Sequence, residues 1–202
     1  MENVATPTFL AGNRFQLLES GREYFPALLA ELQAATREIL LEAYIFADDA
    51  AGRAVALALE AAARRGVAVR VLVDGFGARH FPQTFGRMLT LAGGRWRLYR
   101  REIARFSLSR HRLRRLHRKL VVVDGRIAFV GGINIADDAT PLGADLPSYD
   151  YAVRLEGALV EVIRKEAAKM WGFLHMGLQG GFLSAHSAAV AAPTETARQE
   201  TP

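Results

Sequence analysis

His117 and Lys119 are the residues of this chain whose types and spacing most clearly suit chemistry. They open the stretch His117-Arg118-Lys119-Leu-Val-Val-Val-Asp124-Gly125, which runs on through Arg126 and Val130 to Gly131-Gly132-Ile133-Asn134. Imidazole is a good nucleophile near neutral pH, and histidine forms covalent intermediates. A lysine ammonium and an amide N–H can hold the non-bridging oxygens of a phosphate as charge builds. The chemistry suggested is phosphoryl transfer, with His117 attacking and with Lys119 and Asn134 placed to bind the phosphate; nothing in the stretch requires a metal. Taken as a dipeptide pattern alone, His-x-Lys equally suits an incidental pair on a surface hairpin. The whole stretch is far more restrictive.

These residues need elements to position them. Leu-Val-Val-Val is a β-branched run typical of a buried strand, and side chains two apart on a strand share a face, so His117 and Lys119 should project together. Asp124-Gly125 signals a two-residue hairpin, because both positions tolerate positive φ. The chain should return as a strand over Arg126 to Val130 and end at Gly131 and Gly132, where a missing Cβ lets a ligand or another backbone come close. Upstream, Phe25, Leu28, Leu29 and Leu32 recur at helical spacing, predicting a helix over 23–36. A strand over 39–46 follows. Asp48 or Asp49 can cap a helix over 52–65, with Gly66 as its stop. Strands are expected over 67–73, 96–99 and 149–155, with a helix over 83–91 between the first two. A last helical stripe runs through Leu159, Ile163, Ala167, Met170, Trp171 and Leu174. This alternation favours a mixed sheet with helices on its faces.

The spacing His-x-Lys-x4-Asp-x6-Gly-Gly matches the signature of the phospholipase D superfamily at every specified position. Further segments resemble the first half of bacterial cardiolipin synthases, most of all the short type without transmembrane helices. They are Leu17-Leu18-Glu19-Ser20-Gly21, Ile39-Leu40-Leu41-Glu42-Ala43-Tyr44-Ile45-Phe46, Gly131 to Asp137 and Tyr149 to Gly157. The resemblance implies an α/β fold, a phospholipase D-like mixed β-sheet with helices packed on both faces. It implies a single domain, one half of the usual two-domain enzyme: an arm over 1–12, the domain over 13–176 and a flexible tail over 177–202. It implies that His117 attacks phosphorus to form a phosphohistidine, with Lys119 and Asn134 binding phosphate. It matches Asp124 to the signature aspartate, either catalytic or a turn residue. It places Asp150 near an acid that hydrogen-bonds the catalytic imidazole, or else as an ordinary strand-start aspartate. Gly131 and Gly132 are supporting residues. Glu42, mid-strand among apolar residues, either lines the site or satisfies buried backbone donors.

Family sites use two such histidines, one attacking and one protonating the leaving oxygen. Here, none of the other four histidines, His80, His111, His175 and His186, begins a His-x-Lys motif. A single chain therefore carries half a site. It would be completed by an identical chain or by a separate second-half chain, or the chain is an inactive remnant.

With 202 residues and half of them hydrophobic, the chain can bury one substantial core. The absence of cysteine excludes disulfides, thiolate metal sites and cysteine nucleophiles, and no cofactor is implied. No signal-peptide layout or membrane-length apolar run is present, so the expected location is cytoplasmic and peripheral at the inner membrane. The net charge of +5 is concentrated between Arg95 and Lys119, where Glu102 is the one acid. That segment suits an anionic phospholipid surface of the phosphatidylglycerol kind, with Phe106, Leu108, Leu113 and Leu116 dipping into the interface. It equally suits a nucleic-acid backbone, with Trp96, Tyr99 and Phe106 stacking on bases, as in a dimeric nuclease of the superfamily. The loop over 137–148 either covers the site entrance or is a plain connector.

Overall fold

The β-branched run that follows Lys119 forms the middle of the molecule. The computed structural model describes residues 10–100, 115–137 and 149–175. Leu120–Val123 is strand β5, and every side chain in it is buried, as expected for a strand packed on both faces. The other elements are β1 (Arg14–Glu19), α1 (Ser20–Ala34), β2 (Glu38–Ala43), α2 (Ala50–Arg64), β3 (Ala68–Asp74), α3 (Arg87–Leu91), β4 (Arg95–Tyr99), β6 (Ile127–Gly131), β7 (Tyr151–Glu156) and α4 (Ala158–His175). They build one seven-stranded sheet in the order β1-β7-β6-β5-β2-β3-β4. β2, β3 and β4 run parallel, joined by helical crossovers, whereas β5, β6, β7 and β1 add antiparallel neighbours.

Side-chain alternation sorts the strands between two cores. Ile39, Leu41, Val69, Val71, Val121, Val123, Ile127 and Phe129 face α1, α2 and α3. Leu40, Leu120, Val122, Ala128 and Leu155 face Val160 and Ala167 of α4, and Leu72, Tyr99 and Leu116 pack beside Met170 and Trp171. Helices thus cover both faces, as the α/β reading requires. The sheet is mixed, as expected.

Several boundaries differ for physical reasons. The edge strand β1 carried no clear sequence signal, because its outward Phe15 and Leu17 are exposed. The helix over 83–91 begins as a π-helical turn at Pro82–Gly86 before α3. There Trp96 lies so close that a Cβ on Gly86 would come within 2.7 Å of its ring. Asp49 supplies the cap of α2, accepting from the Gly52 amide at 2.8 Å. The hairpin has positive φ at Asp124 (55°) and Gly125 (64°). However, Val123 lies opposite Ile127, so the connection takes three residues rather than two. Asp124 donates its amide to the Glu38 carbonyl at 2.8 Å, so its backbone pairs toward β2 instead of β6.

Candidate active site

His117 and Lys119 stand on a lead-in, not on the strand itself. Arg115 to Lys119 approaches β5 as extended chain, and β5 begins at Leu120. Asp74, fully buried at the end of β3, anchors that lead-in. Its Oδ2 accepts from the Leu116 amide at 2.9 Å while its Oδ1 accepts from the Phe76 and Gly77 amides. A buried carboxylate requires such donors, and here they fix the residue next to His117. Asp74 is a further site residue that the motif spacing does not reveal. The signal was an aspartate ending an apolar strand.

His117 is exposed and Lys119 is only 8% exposed. Lys119 Nζ lies 3.1 Å from Nε2 and 3.3 Å from Nδ1 of His117. The two groups face each other as expected. The near-equal distances put the ammonium off the axis of either nitrogen lone pair, leaving it free to meet an anion arriving at the ring. Burial lowers the Lys119 pKa, and the negative charge of Asp150 opposes that shift. The pair is thus a partly desolvated cation beside a solvent-reachable imidazole.

Tyr44 completes the wall of the site, a role sequence reading did not assign. β2 bends after Ala43, and the Tyr44 ring lies 5.0 Å from the His117 ring at 49° and 5.4 Å from Lys119 Nζ. Such a cation–aromatic contact holds the ammonium without neutralising it. The segment holding Asn134 runs beside the same bend. Phe46 bridges Ile135 in parallel, and the Ile135 amide donates to the Ile45 carbonyl at 3.1 Å. Asn134 Oδ1 accepts from the Ile45 amide at 3.3 Å, which leaves its NH₂ as the donor available to a ligand. A reciprocal clamp secures that segment: Asp49 accepts from the Asp137 amide, and Asp137 accepts from the Ala50 and Ala51 amides.

The glycine pair admits protein. A Cβ on Gly132 would lie 2.0 Å from Asp150 Oδ1, and one on Gly131 would lie 2.3 Å from the Tyr151 carbonyl oxygen. Gly132 donates to that carbonyl at 2.9 Å. The pair brings Asp150 against the end of β6. Asp150 accepts from its neighbour's amide, Tyr151 N, at 2.8 Å, and its charge acts on Lys119. Among the described residues, no hydrogen bond joins Asp150 to the His117 ring. The expected imidazole partner is here a neighbour of the lysine.

Of the two roles expected for Asp124, the geometry describes the turn role. Asp124 lies five residues beyond Lys119, roughly 17 Å along an extended strand. Its carboxylate accepts from the amides of Thr36, Arg37 and Glu38 and from the Thr36 hydroxyl, at 2.7–3.0 Å. Burial alone would raise its pKa, but those donors outweigh burial and lower it. Asp124 ties the β5–β6 turn to the start of β2.

The basic segment also changes meaning. Arg115 pairs with Asp74 and sits over Phe76, Arg118 pairs with Glu42, and Arg97 stacks on Trp171. Leu116 is buried, so it cannot dip into a membrane. Trp96 is half-buried against the core and donates to Thr90 Oγ1 at 3.0 Å, and Tyr99 is only 8% exposed, so Tyr99 offers no open face for a base. Phe106, Leu108, Leu113, Glu102 and the arginines Arg101, Arg105, Arg110, Arg112 and Arg114 lie outside the described residues, as do residues 138–148 and the tail. Glu42 takes up neither expected role: it is buried, and no backbone donor reaches it among the described residues.

Comparison with known proteins agrees with this geometry. Residues 28–171 match the family described as cardiolipin synthase, PLD-like domain. Cardiolipin synthase B of Escherichia coli K12 is 42% identical over 152 residues, covering 75% of this chain and 37% of that protein. The chain therefore spans little more than a third of that relative's length. Among solved structures, Nuc from Salmonella typhimurium, a phospholipase D family member, is similar with a TM-score of 0.58 at 20% identity, covering 80% of this chain and 95% of that one. NucT from Helicobacter pylori reaches a TM-score of 0.63 at 17% identity, covering 80% and 97%. With its sheet order, its His-x-Lys pair and the matched residues taken together, this chain belongs to the phospholipase D-like domain family of cardiolipin synthases.

Proposed function

We propose that this chain is one half of a phosphatidyltransferase of the cardiolipin synthase kind, with residues 13–176 as its catalytic domain. His117 attacks the phosphorus of an anionic, phosphatidylglycerol-like phospholipid. A P–N bond forms, the P–O bond to the leaving glycerol breaks, and that oxygen takes a proton. A hydroxyl of a second phosphatidylglycerol then attacks the phosphohistidine, loses its proton and releases the imidazole. Lys119 and Asn134 bind the phosphoryl oxygens through both steps, and Gly131, Gly132 and Asp150 support them. The proton for the leaving oxygen comes from a second His-x-Lys half, in an identical chain or a separate one. General acid assistance is commonly worth about two to four orders of magnitude, which makes pairing the condition for full turnover. The chain works peripherally at the inner membrane. Among the described residues no helix is long and apolar enough to cross a membrane.

One observation supports this reading above the others: an exposed imidazole with a desolvated ammonium 3.1 Å away, at the mouth of the sheet. The burial of Tyr99 weighs against the nuclease alternative. The test is phosphatidylglycerol transfer by wild type and His117→Asn, run alongside vesicle and DNA binding at equal salt. Transfer should fall by about 10³-fold or more in the variant, and anionic vesicles should be bound in preference to DNA. Unchanged transfer would remove the nucleophile, and preferential DNA binding would favour a nuclease.

A further inference from the structure

Glu42 is 3% exposed, on the α4 side of β2 and two residues before Tyr44. Arg118 Nε lies 2.9 Å from its Oε2, yet neither carboxylate oxygen receives an aligned hydrogen bond among the described residues. Buried carboxylates normally collect such bonds. The crevice beside it, lined by Leu40, Arg70, Leu72, Ala167 and Trp171, measures about 10 Å³ and has no room for a further ligand. Arg118 is thus its one close ionic partner among the described residues. Arg118 stands between His117 and Lys119, and its own side chain is only 34% exposed.

We propose that Glu42 is a positioning residue for the phosphoryl-transfer site, holding Arg118 beneath the sheet so that His117 and Lys119 keep their mutual geometry against Tyr44. This rests on the reading of His117 as the nucleophile. The ion pair fixes Arg118 in the lead-in before β5, where His117 and Arg118 lie outside the strand and only the Lys119 carbonyl accepts from β6, from the Gly131 amide at 3.2 Å. A group held from below at Arg118 leaves the flanking side chains pointed at the mouth of the site, where a displacement of about 1 Å can cost roughly a hundredfold in rate.

The arrangement makes the site pH-dependent. Burial pushes the Glu42 carboxyl up to about 7, although the Arg118 charge opposes the shift. The other charged groups near it are Arg70 on β3, whose guanidinium faces Glu38 at 3.8 Å, and Glu166 on α4, which acts on Arg118. Below pH 7, Glu42 takes a proton and its hold on Arg118 weakens. Above it, the pair is made, but the buried charge burdens the fold. The unfolded carboxyl ionises near its ordinary value, so stability from this group falls as pH rises from that value through about 7. Glu42→Gln should therefore melt no lower than wild type at pH 8, and loss of function in it is not loss of fold.

The experiment compares wild type with Glu42→Gln at pH 8 and pH 5.5, with His117→Asn to assign the ring signals and blank the chemistry. Nuclear Overhauser contacts between the His117 and Tyr44 rings report geometry without requiring turnover. Release of nitrophenolate from phosphatidyl-p-nitrophenol reports reactivity. At pH 8 the variant should lose the ring contacts and react about tenfold or more slowly. At pH 5.5 the two proteins should agree within about twofold, since a protonated glutamate resembles glutamine. Ring contacts that coincide at pH 8, or a difference independent of pH, overturn the role of Glu42. Altered ring contacts with no release from wild type would leave that role standing and remove the reading of His117 instead.

Discussion

At the residue scale, the candidate site is an imidazole and a cation whose environments differ sharply. His117 meets solvent, whereas Lys119 is nearly enclosed between the His117 and Tyr44 rings. Lys119→Met should lower transfer by about a hundredfold to a thousandfold, because it removes a charge that stabilises the developing phosphorane. Its melting temperature should stay level or rise, since a desolvated cation is exchanged for an apolar chain of similar length. A large drop in melting temperature would show that the ammonium is structural. Asp124 predicts the opposite profile. Asp124→Ala removes four accepted hydrogen bonds and places alanine at a φ of 55°, so stability should fall by about 2 kcal/mol or more. Turnover per folded molecule should persist. Because the folded pKa of Asp124 is lowered, its contribution is present above the ordinary carboxylate value and lost as pH falls through the folded one. Denaturant melts at descending pH should show part of the acid loss missing in Asp124→Asn. The facing of His117 and Lys119 was legible in sequence, since residues two apart on extended chain share a face. Tyr44 and Asp74 were not, because each acts through a bend or loop end that no periodicity reveals.

At the element scale, the approach of β7 to β6 sets the rear of the site. Gly132→Ala puts a Cβ 2.0 Å from the Asp150 carboxylate, so the β7 start must move or Asp150 must swing away from Lys119. Overpacking of this kind costs about 1–3 kcal/mol. The expected signature is lowered transfer together with a Lys119 pKa below that of wild type, because the Asp150 charge that opposes the burial shift is withdrawn; lysine side-chain NMR reads it in the two proteins, and identical lysine titration would show that the glycine serves the backbone alone. The strands and crossover helices were legible because their two apolar faces alternate cleanly, as in Leu120–Val123 and α2. β1 was hidden because its outward residues are apolar, which erases the alternation of an edge strand. The third turn residue was hidden because Asp124 serves β2, a partner distant in sequence.

At the scale of the whole molecule, the described residues hold one His-x-Lys site at the end of one sheet, in a chain spanning 37% of a relative that is 42% identical. Full transfer then depends on protein concentration if identical chains pair, and on an added partner if the second half is separate. The first step can be isolated from that question by a substrate whose leaving group needs no proton. Phosphatidyl-p-nitrophenol supplies one, and mass analysis of the peptide that contains His117 reads the product directly. One equivalent of nitrophenolate released in a burst, with one phosphatidyl group on His117 and none in His117→Asn, is the result predicted. No adduct on wild type, or the same adduct on the variant, would contradict a nucleophilic His117.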